Sequence, residues 1–123
     1  MLNYLLVFVG GGLGSLLRYG LGRVLPATLN GAAFPLSILA VNVLASAALG
    51  YLMGWVSARP GHEAWRLLLG VGVCGGLSTF SSFSQDNLVL LQQGRTGAAL
   101  LNITLNVVGC LLASAGGRVL GKG

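Results

Sequence analysis

Ionisable groups are what this chain has least of. Among 123 residues there are two acids, Glu63 and Asp86, one histidine, His62, and two cysteines, Cys74 and Cys110. The two acids are far apart in sequence, so no paired carboxylates are available for general acid–base work. A single histidine, lying beside Glu63 in the Pro60-Gly61 loop, leaves no Ser/His/Asp arrangement and reads as solvated. Each cysteine sits inside an apolar run without a partner at metal or redox spacing, and reads as a small buried hydrophobe. No phosphate-binding glycine loop of recognised spacing occurs. Nothing here points to an enzyme. The seven Lys and Arg residues leave a formal net charge of +5, yet they punctuate apolar runs and form neither a basic helix nor a basic-aromatic patch. The usual electrostatic footprint of a nucleic-acid binder is therefore missing, and no nucleic-acid partner is expected.

What fills the space is apolar. Hydrophobic residues make up 54% of the chain and charged ones 7%, where soluble domains carry about 25% charged residues. A chain this short holds one domain and cannot hide so much apolar surface in its own core. Lipid must be part of its solvent. No charged residue occurs in 1–17, 24–58, 67–85 or 96–117. With about 20 residues needed to cross the hydrocarbon, these stretches predict four helical spans, at 2–25, 34–57, 65–92 and 97–120. The fold class expected is an all-α membrane protein, with residues 1–123 forming a single four-span domain. The first span lacks a positive leader and a cleavage site, so it reads as a membrane span and not as a signal peptide. Breakers punctuate the connections: Pro26 and Asn30-Gly31, then Arg59-Pro60-Gly61, then Gln93-Gly94-Arg95. Tyr4, Trp55 and Trp65 fall near span ends, where amphipathic rings favour the interface.

Four spans put both termini and the middle loop on one side. That side carries Arg59, Arg66, Arg118 and Lys122; the other carries Arg18, Arg23 and Arg95. Orientation follows the Lys/Arg bias, and four against three is almost no bias. Two readings stand: insertion both ways round, or one orientation fixed by another signal. Small residues recur four apart at Gly10 and Gly14, at Gly11 and Ser15, and at Ser46, Gly50 and Gly54. Such faces let helices approach closely in lipid, within or between subunits.

Polar side chains at bilayer depth face the protein interior or a water path. Asn42 lies mid-span with Ser46 one turn on; it serves either as interhelical glue or as a donor on such a path. In the fourth span Asn102, Asn106, Cys110 and Ser114 recur every fourth residue, a stripe that fits a wet track or a glue face. Arg18 either snorkels to the interface or gives a pore mouth a positive field. The densest feature is Gly75-Gly76-Leu77-Ser78-Thr79-Phe80-Ser81-Ser82-Phe83-Ser84. Adjacent glycines weaken a helix, and the following hydroxyls compete for freed backbone groups. As one helix the third segment would be about 42 Å long against a core of roughly 30 Å, so a break near Gly75-Gly76 is predicted. A passive pore with neutral donors fits these features. A proton-coupled exporter of the small drug-resistance type would want a carboxylate in the first helix, and none is there. A structural membrane subunit leaves the polar stripe unexplained.

Three stretches carry a resemblance: Gly11 to Tyr19 as Gly-x-x-Gly-x-x-x-Arg-Tyr, Val41-Asn42, and above all the segment 75–84. Together they resemble the Fluc (CrcB) fluoride channels, in length, span count and motif order across essentially the whole chain. The resemblance implies an antiparallel, dual-topology homodimer in the bacterial inner membrane, conducting fluoride passively outward. It implies two pores lined by Phe80 and Phe83, whose ring edges meet fluoride, with Asn42 matching the span-two asparagine, Arg18 the span-one arginine and Thr79 the hydroxyl after Ser78. Ser81, Ser82, Asn106, Cys110 and Ser114 complete the expected fluoride path. It also implies a central Na+ held by the backbone carbonyls of Gly75 and Ser78 from both subunits. Three positions depart from the family pattern. Ser37-Ile38-Leu39 stands where Gly-Thr-Leu is usual, Cys110 where a hydroxyl is frequent, and Asp86 where glutamate is usual.

Overall fold

The computed structural model describes residues 1–29 and 32–123, and these form helices joined by short loops and one short hairpin. Four helical segments are long and apolar enough to cross a membrane: Leu2–Val24, Leu36–Ser57, Glu63–Gln92 and Thr96–Lys122. The predicted spans agree with these to within two residues at each end. The chain is thus built as a multi-pass membrane protein.

Local chemistry sets the ends. The first span stops at Leu25, which is extended (φ −80°, ψ 141°) because the following Pro26 disfavours helical backbone before it. A hairpin follows, β1 (Thr28–Leu29) against β2 (Ala32–Ala33), with Thr28 opposite Ala33 and Leu29 opposite Ala32. The Asn30-Gly31 breaker expected here lies outside the described residues. Gly61 turns the middle loop at φ 91°. Gly94, at φ 73°, ends the third span: its N–H reaches the Leu91 carbonyl at 3.0 Å while the Arg95 N–H reaches that of Leu90 at 2.9 Å. That pair of bonds is the Schellman closure, which a glycine in left-handed geometry permits.

The third span has two arms. The leading arm opens at Glu63–Trp65, runs as a wide π-helix over Arg66–Cys74, and returns to α geometry at Gly75–Leu77. The trailing arm is Phe80–Gln92. Between them only Ser78 and Thr79 are non-helical. The break is therefore real, but it falls after the glycine pair. Gly75 and Gly76 are helical, and Gly76 is needed for a different reason: a Cβ there would come under 3.0 Å of the Gly11 carbonyl oxygen.

Glycine seams hold the bundle. The first span lies against the leading arm, where a Cβ on Gly10 would strike the Leu68 carbonyl and one on Gly14 the Val73 carbonyl, both under 3.0 Å. The second and fourth spans interlock likewise: Gly50 faces the Ser114 backbone, Gly54 that of Arg118, Gly117 that of Ala47 and Gly121 that of Tyr51. The small-residue faces read from the sequence thus pair spans within the chain. Without a hydrophobic drive in lipid, such close backbone approach is what dispersion and packing can use. The second span also meets the leading arm, where Leu49 and Leu52 cover Gly70. Val41, Ala45, Cys74 and Leu77 form the small buried core there. Most remaining large side chains of the first span, Leu5, Phe8, Leu13 and Leu16 among them, point outward.

Candidate functional site at the break in the third span

Ser78 (φ −80°, ψ 154°) and Thr79 (φ −152°, ψ 124°) are extended backbone at membrane depth. At that depth backbone groups freed from a helix are costly unless another partner replaces the lost bonds. Asn42 supplies two of them. Its Oδ1 accepts from the Thr79 N–H at 2.9 Å, and its Nδ2 donates to the Thr79 carbonyl at 3.3 Å. One amide thereby substitutes for both missing helical bonds of that residue. The Ser78 N–H and Oγ both donate to the Cys74 carbonyl at 3.0 Å, and the Ser78 carbonyl accepts from Arg18 Nη1 at 3.5 Å. Thr79 then caps the trailing arm: its Oγ1 accepts from the Ser82 N–H at 3.2 Å, satisfying one orphan donor of the first turn. Ser81 Oγ lies 3.2 Å from the same hydroxyl.

Asn42 is also the end of an amide chain. Its Nδ2 donates to Asn106 Oδ1 at 3.0 Å, and Asn106 Nδ2 donates to both the carbonyl and Oδ1 of Asn102 at 2.9 Å. Asn102 Nδ2 in turn donates to Asn87 Oδ1 at 2.9 Å, and Asn87 Nδ2 to the Phe83 carbonyl at 3.0 Å. Second span, fourth span and trailing arm are tied through four amides, with Asn102 fully buried. Asn87 was not among the residues singled out from the sequence. The available signal was an amide seven residues past Phe80 on a segment read as a span, which bilayer depth makes costly unless it is paired.

Beside this chain lies an open groove of about 270 Å³, lined by Asn42, Ser46, Ser78, Thr79, Phe80, Phe83, Asn106, Val107 and Cys110. The two phenyl rings are 5.4 Å apart at their centroids and tilted by 50°. Phe83 is buried, whereas Phe80 is 78% exposed. No lining residue carries a charge; the nearest fixed charge identified is Arg18, behind Ser78. Hydroxyls, amides and ring edges are neutral donors, suited to a small anion or to water.

Of the predicted site residues, Asn42, Ser78, Thr79, Phe80, Phe83, Asn106 and Cys110 come together in the groove. Ser81 and Ser82 sit at the start of the trailing arm and serve the cap. Arg18 reaches the break from the first span. Ser114 is one turn past Cys110 and donates to the Ser46 carbonyl at 3.2 Å, within the seam between the second and fourth spans. Gly75 is exposed at the end of the leading arm. Among the described residues the carbonyls of Gly75, Gly76 and Leu77 receive no backbone N–H from beyond the break. Asp86, one turn along the trailing arm from Ser82, has one carboxylate oxygen buried without a partner among the described residues.

Comparison with known proteins places this arrangement. Residues 5–118 match the family described as CrcB-like protein, camphor resistance (CrcB). A fluoride-specific ion channel FluC of Pyrococcus horikoshii is 46% identical over 104 residues, covering 84% of this chain and 82% of its own. The FluC of Methanocaldococcus jannaschii is 41% identical over 116 residues, 94% of this chain and 91% of the relative. That of Pyrococcus furiosus is 44% identical over 119 residues, 95% and 94%. A match running from the first span into the fourth, across the break and its amide chain, makes this chain a member of the CrcB-like family.

Proposed function

We propose that the chain forms a passive, fluoride-selective ion channel of a cell membrane, the bacterial inner membrane being the expected location, through which cytoplasmic fluoride leaves and its toxicity falls. The observation that carries this reading is the uncharged groove at the break, where amide and hydroxyl donors and two phenyl edges converge. Neutral donors bind a small anion without trapping it, as conduction requires. The fluoride-specific relatives, alike over most of the chain, support the same ion. A proton-coupled exporter would need a carboxylate on the path, and none lines the groove.

The working unit in this reading is an antiparallel homodimer. The groove is open on one side, and Phe80, a large ring beside it, is left uncovered by its own chain. A second copy in the opposite orientation closes both, and the four-against-three charge balance permits such insertion. C-terminal reporters are expected on both sides of the membrane; a single side would leave the chain needing a distinct partner.

The carbonyls of Gly75 and Ser78 fit a structural Na+ in kind. They are neutral oxygens at the end of an interrupted helix, the donor type that unwound helices offer monovalent cations. Two oxygens are too few for one ion, so both subunits must contribute. Arg18 already takes one lone pair of the Ser78 carbonyl, at 3.5 Å, leaving the other. A bound cation would fix the two breaks against each other.

The test is efflux from vesicles holding the purified chain, followed with a fluoride electrode beside a chloride control. Rapid fluoride release with little chloride release is expected. A well-folded dimer that releases neither ion would rule the channel reading out.

A further inference from the structure

A second groove, of about 520 Å³, lies on the other side of the second span, between that span and the leading arm. Tyr51, Leu52 and Trp55 line it from one helix, and Trp65, Leu69 and Val73 from the other. At roughly 100° per residue its second-span residues point about 150° away from Asn42 and Ser46, so it faces away from the channel groove. From Trp55 to its deepest second-span residue, Ala48, it descends about 10 Å, most of the roughly 15 Å depth of one leaflet.

Its mouth is built differently from its walls. Arg59 lies over the Trp55 ring, its guanidinium carbon 5.4 Å from the centroid, and Nη1 donates to the Trp55 carbonyl at 3.5 Å. His62 meets the same ring edge-on at 4.6 Å, and its Nδ1 is 3.0 Å from the Arg59 carbonyl. The loop is thus clamped with its cation above the groove. Arg66 nearby is neutralised by a bidentate pair with Glu63, whereas among the described residues Arg59 makes no ion pair.

We propose that this groove holds one acyl chain of an anionic phospholipid, with the lipid phosphate at Arg59. The apolar trough matches the chain in depth. The indole rings occupy the level where amphipathic rings meet headgroups, and the uncompensated guanidinium supplies the complementary charge. A second copy of this chain is the competing occupant. It would have to cover a face turned away from the channel groove, and of its two acids Glu63 is already paired with Arg66.

The chain carries its own reporters, because both of its tryptophans line this groove. The full chain is reconstituted in vesicles containing phosphatidylglycerol or phosphatidylcholine brominated near the headgroup end of the acyl chain, and tryptophan quenching is titrated. Phosphatidylglycerol is expected to quench at about fivefold lower mole fraction, the scale of one basic side chain at an anionic surface. High salt should erase that preference in the unmutated chain, and Arg59→Gln should erase it while leaving quenching itself intact. Lys122→Gln, on the same side of the membrane, should leave the preference in place. Equal quenching by the two lipids would overturn the proposal, since bulk lipid then fills the groove. Absence of quenching by either would overturn it in favour of a second copy. Equal loss of preference in Arg59→Gln and Lys122→Gln would reduce it to general surface charge.

Discussion

The glycine seams and the asparagine-tied break are both places where helices touch at membrane depth, and they are made in opposite ways. At the seams backbone meets backbone: Gly10 and Gly14 lie against the leading arm, and Gly50 and Gly117 join the second and fourth spans, where the one side-chain hydrogen bond described is that of Ser114 to the Ser46 carbonyl. The seam residues lie inside continuous helices, so close approach is the main requirement. At the break the helix has let go of its own groups, and the side chains of Asn42, Arg18 and Thr79 must reach in to replace them. The seam tolerates no added volume; the break tolerates no lost hydrogen bond. The break leaves uncharged amide and hydroxyl groups facing an open groove, which the seams do not.

Added volume should do the most damage. Gly14→Leu places a side chain where even a Cβ meets the Val73 carbonyl, and the obstacle is backbone that cannot swing aside. Its cost should exceed the roughly 1–3 kcal/mol typical of an overpacked core. Gly12→Leu, two residues away and open to lipid, should be nearly neutral. Size-exclusion profiles and thermal melts of the two variants in detergent measure the contrast, and equal behaviour would deny the seam its role.

At the break the next largest effect is expected from Asn42→Leu. It orphans the Thr79 N–H and takes the Asn42 donor from Asn106 Oδ1, with a cost of about 1–3 kcal/mol for the buried N–H alone. Fluoride flux should fall about tenfold or more, equivalent to roughly 1.4 kcal/mol on the barrier. A lower melting temperature with unchanged flux per folded protein would make Asn42 a joint and nothing else.

The seams were readable because glycine spacing is a local signal, and the spans because lipid demands an uninterrupted apolar length. The position of the break was less so. The pair Gly75-Gly76 advertised it, yet both residues stay helical, Gly76 being needed as glycine by the close approach of Gly11, and the helix yields at Ser78 and Thr79, where Asn42 offers Thr79 substitute bonds from 37 residues away. The sequence shows which residues weaken a helix, not which distant amide will reward its opening. The same holds for Asn87, whose partner Asn102 lies on another span, for the π-helical winding of the leading arm, and for the Arg95 bond to the Ala33 carbonyl that ties the hairpin to the fourth span. The stripe through Asn102, Asn106, Cys110 and Ser114 was legible as a line, but its division between amide chain, groove and seam depends on what each turn faces.

A smaller effect on stability, though not on flux, is expected from the aromatic pair. Phe80→Ile removes a ring that its own chain leaves largely uncovered, so the melting temperature of the folded chain should barely move. Phe83→Ile alters a buried ring packed at 5.4 Å from its neighbour and should cost about 1 kcal/mol. Both should cut fluoride release, because bulk is retained while the positive ring edge is lost. Unchanged release in both variants would take the rings off the ion's path.

The smallest change tests the rule at the break in reverse. Asp86 sits in the pocket that also holds Arg95, but Arg95 spends its guanidinium on the Ala33 carbonyl, and the buried Oδ2 of Asp86 has no partner among the described residues. If lost hydrogen bonds are what the break region cannot bear, a group that already lacks one should gain from replacement. Asp86→Asn keeps the shape and removes the burden of an unpartnered carboxylate oxygen. A rise in stability of about 0.5 kcal/mol is expected in thermal melts. A fall instead would show that the carboxylate is engaged in the assembled protein by something this single chain does not supply, and the edge of the polar region would then extend past Phe83 to the middle of the trailing arm.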